Sequence, residues 1–474
     1  MSDRIIQSNK EGLYASCIKR KMEGWRLAQI CAVTIKDGFE MSYTFVKDLD
    51  MDTLRICLKE DEPISSITQI YPCAFLQENE VAELFGVKIE NITMDYKHKL
   101  YRIEADTPFK AKEDAYAKRS VIPFGPQHPV LPEPIHLDLV LEDEVVVEAI
   151  PNIGFVHRGL EKLVETKDFK QYVYIAERVC GICSFGHGLG YCESIEHMMN
   201  IDVPRRAKYL RTLWMELSRI HSHLLWLGLL ADALGFEALF MQSWRLREKV
   251  LDLFDMTTGG RIIFSVNQVG GVLKDIDPSM LKIIDQTLTD MEKELKPITR
   301  TFLEDRLVNS RLRGLGVLSK EQAYIAGACG PMLRASGVPY DSRETGYAAY
   351  SELNFGPIIA IEGDSYARVK VRLAEIMQSF EILHELISKI PQGEISVPVK
   401  GNPKEECFIR IEQPRGEAIY YTKGNGTKYL DRFRLRTPTT SNIPAMLDLL
   451  KGCQLGDVAL LILTIDPCIS CTER

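Results

Sequence analysis

At 474 residues, 45% hydrophobic and 26% charged, the chain has the make-up of an ordinary globular protein with room for two or three domains. A formal net charge of −8 and a pI near 5.7 leave no strongly basic face, which argues against nucleic acid as a partner. The opening MSDRIIQSNK has neither an apolar h-region nor a twin-arginine pair, and the longest apolar runs, such as 458–463, are too short to cross a bilayer, so the expected location is the cytoplasm.

Residues 1–105 read as a small α+β domain. Alternating segments predict strands over 27–35 and 39–47, and 54–58 fits a third strand or a short helix edge. The segment 78–85 reads as a short acidic helix closed by Gly86. Residues 106–119 are polar with little periodicity and are expected to link two domains. From Ser120 onward, prolines at 123, 126, 129, 132 and 134 make an extended, loop-rich entry, and 137–141 with 145–150 predict a β-hairpin.

After that the pattern is mainly helical. Asp277 with Pro278 marks a helix start, and the helix is expected to pass Lys293. The clearest helix is 364–390, where Val369, Leu373, Ile376, Phe380, Leu383, Ile387 and Ile390 form an apolar seam with Lys370, Glu375, Glu381, Glu385 and Lys389 off it. The run 458–465 is expected to be a buried strand that ends at Asp466-Pro467 and delivers Cys468 to a turn. The predicted fold class is α+β: a small N-terminal α+β domain, then a large mainly helical domain over 120–474 with small peripheral sheets.

Twelve cysteines are many for a cytoplasmic protein. Eight are isolated (17, 31, 57, 73, 192, 329, 407 and 453) and read as small buried hydrophobes. The other four form two CxxC pairs, Cys180/Cys183 and Cys468/Cys471, whose two-residue spacing lets both sulfurs face one metal centre. Four soft thiolates suit zinc, iron–sulfur clusters, or nickel with iron. A zinc ribbon usually separates its knuckles by about 15–20 residues, whereas 284 residues, 184 to 467, intervene here. A thioredoxin-like dithiol needs only one CxxC. Spacing alone leaves a structural zinc site and a redox metal site open.

The surrounding motifs go further. RVCGICSFGH at 178–187 and DPCISCTER at 466–474 resemble the paired metal-binding motifs of nickel–iron hydrogenase large subunits. GFVHRGLEKL at 154–163, RIHSHLLWLG at 219–228, GPMLRASG at 330–337 and PRGE at 414–417 follow in the same order, so the resemblance covers roughly 120–474. IPFGPQHPVLPEP at 122–134 and the final TER are similar to the group 4, energy-converting, membrane-associated hydrogenases, relatives of complex I. QENEVAELFGVKI at 77–89 resembles a weakened acidic stretch of the complex I 30-kDa subunit, and such a fused N-terminal domain is like the arrangement in formate hydrogenlyase. The alternative is a complex I-like quinone-reductase subunit of the 49/30-kDa fused type. That family lacks the four cysteines as a set and carries a second histidine-glycine where this chain has Pro132-Glu133-Pro134.

The resemblance implies reversible conversion of protons and electrons to H2. It makes Cys180 and Cys468 terminal ligands of nickel, Cys183 and Cys471 bridging ligands to an iron with carbon monoxide and cyanide ligands, and leaves no iron–sulfur cluster in this chain. Glu161 matches the proton-transfer glutamate; read without the family it is a surface salt-bridge partner for Lys162 or Lys167. Arg415 matches the arginine above the metals, and Pro438-Thr439 the segment whose hydroxyl binds a cyanide. Asp466 is either an orienter of Cys468 or a turn cap, and His187 is expected to support the bridging sulfur. His221 and His223 flank Ser222, where uptake-type relatives carry an acid, and Arg474 stands where they carry an ion-binding histidine.

The implied partners are an iron–sulfur small subunit, ferredoxin-like electron-transfer subunits, membrane ion-translocating subunits and maturation proteins. They would place the chain peripherally on the inner face of the cell membrane. The N-terminal domain, with no clustered ligands, is expected to serve assembly and docking rather than chemistry.

Overall fold

In the computed structural model of the chain, which describes residues 3–101 and 119–474, helices predominate and the sheets are small. Two compact units emerge: one from 1–158, 318–329 and 436–474, the other from 159–317 and 330–435. The chain expected to be one catalytic domain, 120–474, thus contributes to both units. The expected linker, 106–119, lies outside the described residues except for Arg119.

The first unit begins with a four-stranded sheet in the order Asp3–Gln7, Asp50–Lys59, Gly38–Lys47, Arg26–Ile35, its first pair parallel and the others antiparallel. Its apolar face packs with the helices Lys10–Met22 and Ala74–Phe85 around Leu13, Leu27, Ile30, Tyr43, Ile56 and Val81. Cys17 and Cys73 belong to this core, where burial pushes both thiols up to about 12 and keeps them protonated. Cys57 departs from the expected burial. It is exposed, because the strand's alternation turns it away from Ile56 and Leu58. The acidic helix starts four residues earlier than expected and ends on Gly86 in the left-handed conformation (φ 75°).

The predicted hairpin is present as His136–Glu142 and Val145–Asn152, extended to three strands by Ser120–Phe124. The segment expected to be a strand at 458–465 is instead the helix Val458–Ile465. A short continuous apolar run fits a buried strand or a buried helix equally. The helix satisfies its own backbone, so it enters the core without a partner strand.

In the second unit the helices Arg205–Ala233, Glu237–Thr258, Pro278–Glu304 and Ser365–Lys389 pack together, with Asp277 and Asp364 capping the last two. Helix Ser184–Met198 packs on the antiparallel sheet Glu406–Gln413, Gly416–Gly424, Leu430–Arg436. Helix Arg205–Ala233 is buried almost throughout, although it carries Arg206, Arg211, Glu216, Arg219 and His223. Buried charges require partners. Glu216 meets Arg343 (3.3 Å) and Ser379 (2.6 Å), and Arg343 also pairs with Asp341 (2.8 Å). Arg334 meets Glu375 (2.7 Å) and Glu412 (2.8 Å). Glu375, placed off the apolar seam by its spacing, is therefore fully buried, because its charge is matched. Ile387 of that seam is only half-buried, and Leu386 takes its place in the core.

His223 donates from Nε2 to the Glu375 carboxylate across 3.0 Å, and burial pushes its pKa down from 6.5 to about 4. The folded protein thus binds this proton less readily than the unfolded chain does between those values, and stability falls as pH drops through that window. The midpoint of thermal unfolding should decline on going from pH 7 toward 5, and His223→Gln should flatten that decline. Parallel profiles for the two proteins would show that His223 takes no part.

Candidate metal centre

Cys180 follows a 3-10 turn, Glu177–Val179, in extended backbone, and Cys183 stands at the start of helix Ser184–Met198. Both thiols are buried, neither is in a disulfide, and their sulfurs lie within 4.8 Å of each other. The amides of Ile182 and Cys183 point at the Cys180 sulfur, at 3.2 and 3.4 Å. Two backbone donors aimed at one sulfur fix its position within the CxxC turn.

One turn along the helix, His187 Nε2 is 3.5 Å from the Cys183 sulfur, and Nδ1 is 3.0 Å from the Tyr420 hydroxyl. With the Tyr420 hydroxyl donating its hydrogen bond to Nδ1, the ring proton sits on Nε2, which donates to the sulfur.

Arg415 occupies the tight turn between strands Glu406–Gln413 and Gly416–Gly424, with Nη1 3.3 Å from the Ser222 hydroxyl. That turn seats against Gly330, at φ 64°, where a Cβ would lie 2.2 Å from the Gly416 Cα. Only glycine accommodates both the conformation and the approach. The segment 330–337 thereby packs the Arg415 turn and, through Arg334, holds Glu375 and Glu412. His221 is buried beside the Phe254 ring; burial, with Arg247 and Arg415 adding to it, pushes its pKa down to about 3, so the ring is neutral.

Glu161 is no surface partner of a lysine. Lys162 pairs with Glu165, whereas the Glu161 side chain is 11% exposed and accepts from Arg432 (2.8 Å), Arg434 (3.4 Å) and the Leu435 amide (2.9 Å). The strand Leu430–Arg436 therefore holds this carboxylate from one side.

The second pair belongs to the first unit. Asp466 caps helix Val458–Ile465 in the left-handed conformation (φ 62°), its amide donating to Leu463 O at 3.0 Å, which is the geometry of a turn cap. Cys468 donates its amide to Thr439 Oγ1 at 3.0 Å, which leaves the Thr439 hydroxyl proton for another acceptor. Thr439 is near the start of helix Pro438–Leu450, and the Pro438 carbonyl faces the Cys329 thiol at 3.7 Å. Both Cys468 and Cys471 are buried and free of disulfides. Each unit thus carries a pair of buried, unbridged sulfurs, the pair of the second unit supported by an imidazole and amides, and soft thiols of this kind fit the ligand chemistry of nickel and iron.

One residue of this site escapes motif reading. Glu133 accepts from the amides of both residues between the cysteines, Ile469 and Ser470, the latter at 3.1 Å. The signal was present as an acid between Pro132 and Pro134, a stiff segment that presents acceptors but few donors.

Residues 233–402 and 398–474 match the family described as the 49-kDa subunit of respiratory-chain NADH dehydrogenase. Residues 158–235 match nickel-dependent hydrogenase, and 10–109 match the 30-kDa subunit of respiratory-chain NADH dehydrogenase. The chain is 35% identical to membrane-bound hydrogenase subunit alpha of Pyrococcus furiosus, over 74% of this chain and 87% of that protein. It is 30% identical to formate hydrogenlyase subunit 5 of Escherichia coli, over 89% and 79%. It is also 33% identical to an NADH-quinone oxidoreductase subunit of Chloroherpeton thalassium, over 75% and 88%. Among solved structures, a chain of the membrane-bound sulfane sulfur reductase, an archaeal respiratory membrane complex, superposes with a TM-score of 0.72 at 30% identity, covering 75% of this chain and 98% of that one. No helix among the described residues is long and apolar enough to cross a membrane.

Glu133→Ala should leave two amides of the cysteine turn without their carboxylate, a loss of about 1–3 kcal/mol in local stability. Hydrogen–deuterium exchange of the peptide spanning 464–474 should accelerate. Unchanged exchange there would show that the turn holds itself.

Proposed function

The chain belongs to the family of complex I 49-kDa-type subunits and group 4 nickel–iron hydrogenase large subunits, with a 30-kDa-type domain at its N-terminal side, and from that membership we propose that it catalyses the reversible reduction of protons to H2. In this reading Cys180, Cys183, Cys468 and Cys471 hold the metals. The observation that carries it is the set of four buried, unbridged thiols in two CxxC pairs, the first with converging sulfurs and amide support. Similarity alone is divided, since quinone-reductase subunits match about as well as hydrogenases do. The thiolates favour the hydrogenase, because quinone reduction has no use for four soft ligands.

The nickel–iron centre, when bound, supplies the redox-active soft Lewis acid at which H2 is split or formed. The chain's own residues do the rest. His187 donates to the Cys183 sulfur and stabilises its negative charge. Arg415 presents a permanent positive charge that never gives up its proton. Glu161, held by Arg432 and Arg434, relays protons between solvent and the thiolates, inward when H2 is formed and outward when it is split. Electrons arrive through ferredoxin-like carriers and an iron–sulfur small subunit. The physiological direction is H2 evolution from a low-potential donor, ferredoxin or formate, coupled to ion translocation by membrane subunits.

Metal analysis of the purified complex should find nickel together with iron in this subunit; zinc alone, or no metal, would overturn the assignment. Cys468→Ser should remove both nickel and H2 turnover, because a hydroxyl is a poor soft ligand.

Glu161→Gln keeps the shape and an acceptor oxygen but removes the titrating group. Nickel content should stay normal while exchange of H2 with solvent deuterium falls by about 10²-fold or more. Full nickel with undiminished exchange would take Glu161 out of proton transfer.

A further inference from the structure

In the first unit the segment bearing Cys468 and Cys471 is gripped by the N-terminal domain. Arg474 is only 2% exposed, and its guanidinium pairs with the carboxylate of Glu80, which is 3% exposed. Arg474 also donates from Nη1 to Thr472 O at 2.7 Å, and from its amide to Ser470 O at 3.1 Å. Thr472 in turn donates to the Cys468 carbonyl, from its amide at 3.2 Å and its hydroxyl at 2.9 Å. A continuous chain of hydrogen bonds thus runs from Glu80 to Cys468.

The Glu80 end of that chain is rigid. On helix Ala74–Phe85, Gln77 accepts from the Ile30 amide (2.8 Å), and Glu78 from the Ile67 amide (2.9 Å) and the Ser66 hydroxyl (2.6 Å). Asn79 donates to Met94 O (2.7 Å) and accepts from the Tyr96 amide (2.8 Å). Each residue before Glu80 is tied to a different part of the domain, so the carboxylate is presented on a fixed platform. On the other side, the Glu473 carboxylate accepts from the Val156 amide at 2.6 Å, and Tyr101 stacks on His157 with ring centres 4.4 Å apart. A guanidinium this deeply buried depends on its counter-charge.

We propose that Glu80 is a positioning residue for the second thiolate pair: by holding Arg474 it fixes the turn that carries Cys468 and Cys471. The N-terminal domain is then part of the frame of the metal centre and not a docking module alone. This rests on the reading of the four cysteines as ligands, but its geometry does not need the metal, and the test is built on that difference.

The test uses the full-length chain in its complex, purified from nickel-starved cells and labelled with iodoacetamide, with each cysteine followed by peptide mass spectrometry. Cys180 and Cys183 serve as the internal reference for global unfolding. Glu80→Gln should raise labelling of Cys468 and Cys471 about tenfold, a local opening, with less than about a twofold change at Cys180 and Cys183. Glu80→Arg combined with Arg474→Glu should return the rates toward those of the unaltered protein. Unchanged labelling in Glu80→Gln, an equal rise at all four sulfurs, or no recovery in the exchanged pair would each overturn the proposal. In nickel-replete complex, Glu80→Gln should also lose nickel faster on dialysis, and equal retention would overturn it. If the unaltered complex held no nickel, the ligand assignment would fail while the labelling contrast still decided the role of Glu80.

Discussion

The second unit is organised by the need to neutralise charge inside it. Helix Arg205–Ala233 is buried along nearly its whole length yet carries Glu216, Arg219 and His223. Leaving a charge unpaired in that position costs roughly 3–5 kcal/mol, so the partners are not optional. Burial alone would raise the Glu216 pKa, but Arg219 and Arg343 outweigh it and hold the carboxyl below its ordinary value. Asp341 is likewise held down to about 2 by Arg343 and Arg334 against its burial. The ionised groups therefore fix where the segments carrying Arg334, Arg343, Glu375 and Glu412 must stand.

The Arg415 turn inherits its position from that arrangement. Gly330 opens the segment whose Arg334 binds Glu375 and Glu412, and the same glycine leaves room for the turn that carries Arg415. Strand Glu406–Gln413, which ends beside the turn, also supplies Glu412 to the ion pairs and the Gln413 amide to the Tyr420 hydroxyl. That hydroxyl meets His187, and His187 meets the Cys183 sulfur. A functional loop set on paired buried charges is rigid because rotating any member strands another charge.

Much of the site was legible in the chain because it is written in short motifs. Two CxxC pairs and a histidine four residues after Cys183 are local patterns that show soft donors, while the metal and the role of each residue came from the resemblance to hydrogenase large subunits. Other parts were invisible for a definite reason. Glu375 lies off the apolar seam of its helix and reads as solvent-facing until Arg334, distant in sequence, is seen to neutralise it. Glu161 next to Lys162 suggests a surface pair, whereas its partners come from a strand about 270 residues later. Glu133 serves amides more than 300 positions away.

By itself the sequence determined the fold class, the strands within 27–58, the hairpin within 137–150, the long helices that start after Asp277 and Asp364, and the two CxxC pairs, because these depend on periodicity and on residues close together in the chain. It did not determine whether the apolar run ending at Ile465 was strand or helix, since both bury the same side chains. Which carboxylates are buried, and which arginine each one meets, was decided only by the tertiary structure. The physical reason is that a charge enters the interior only with its partner, and neither residue alone records where the other will be.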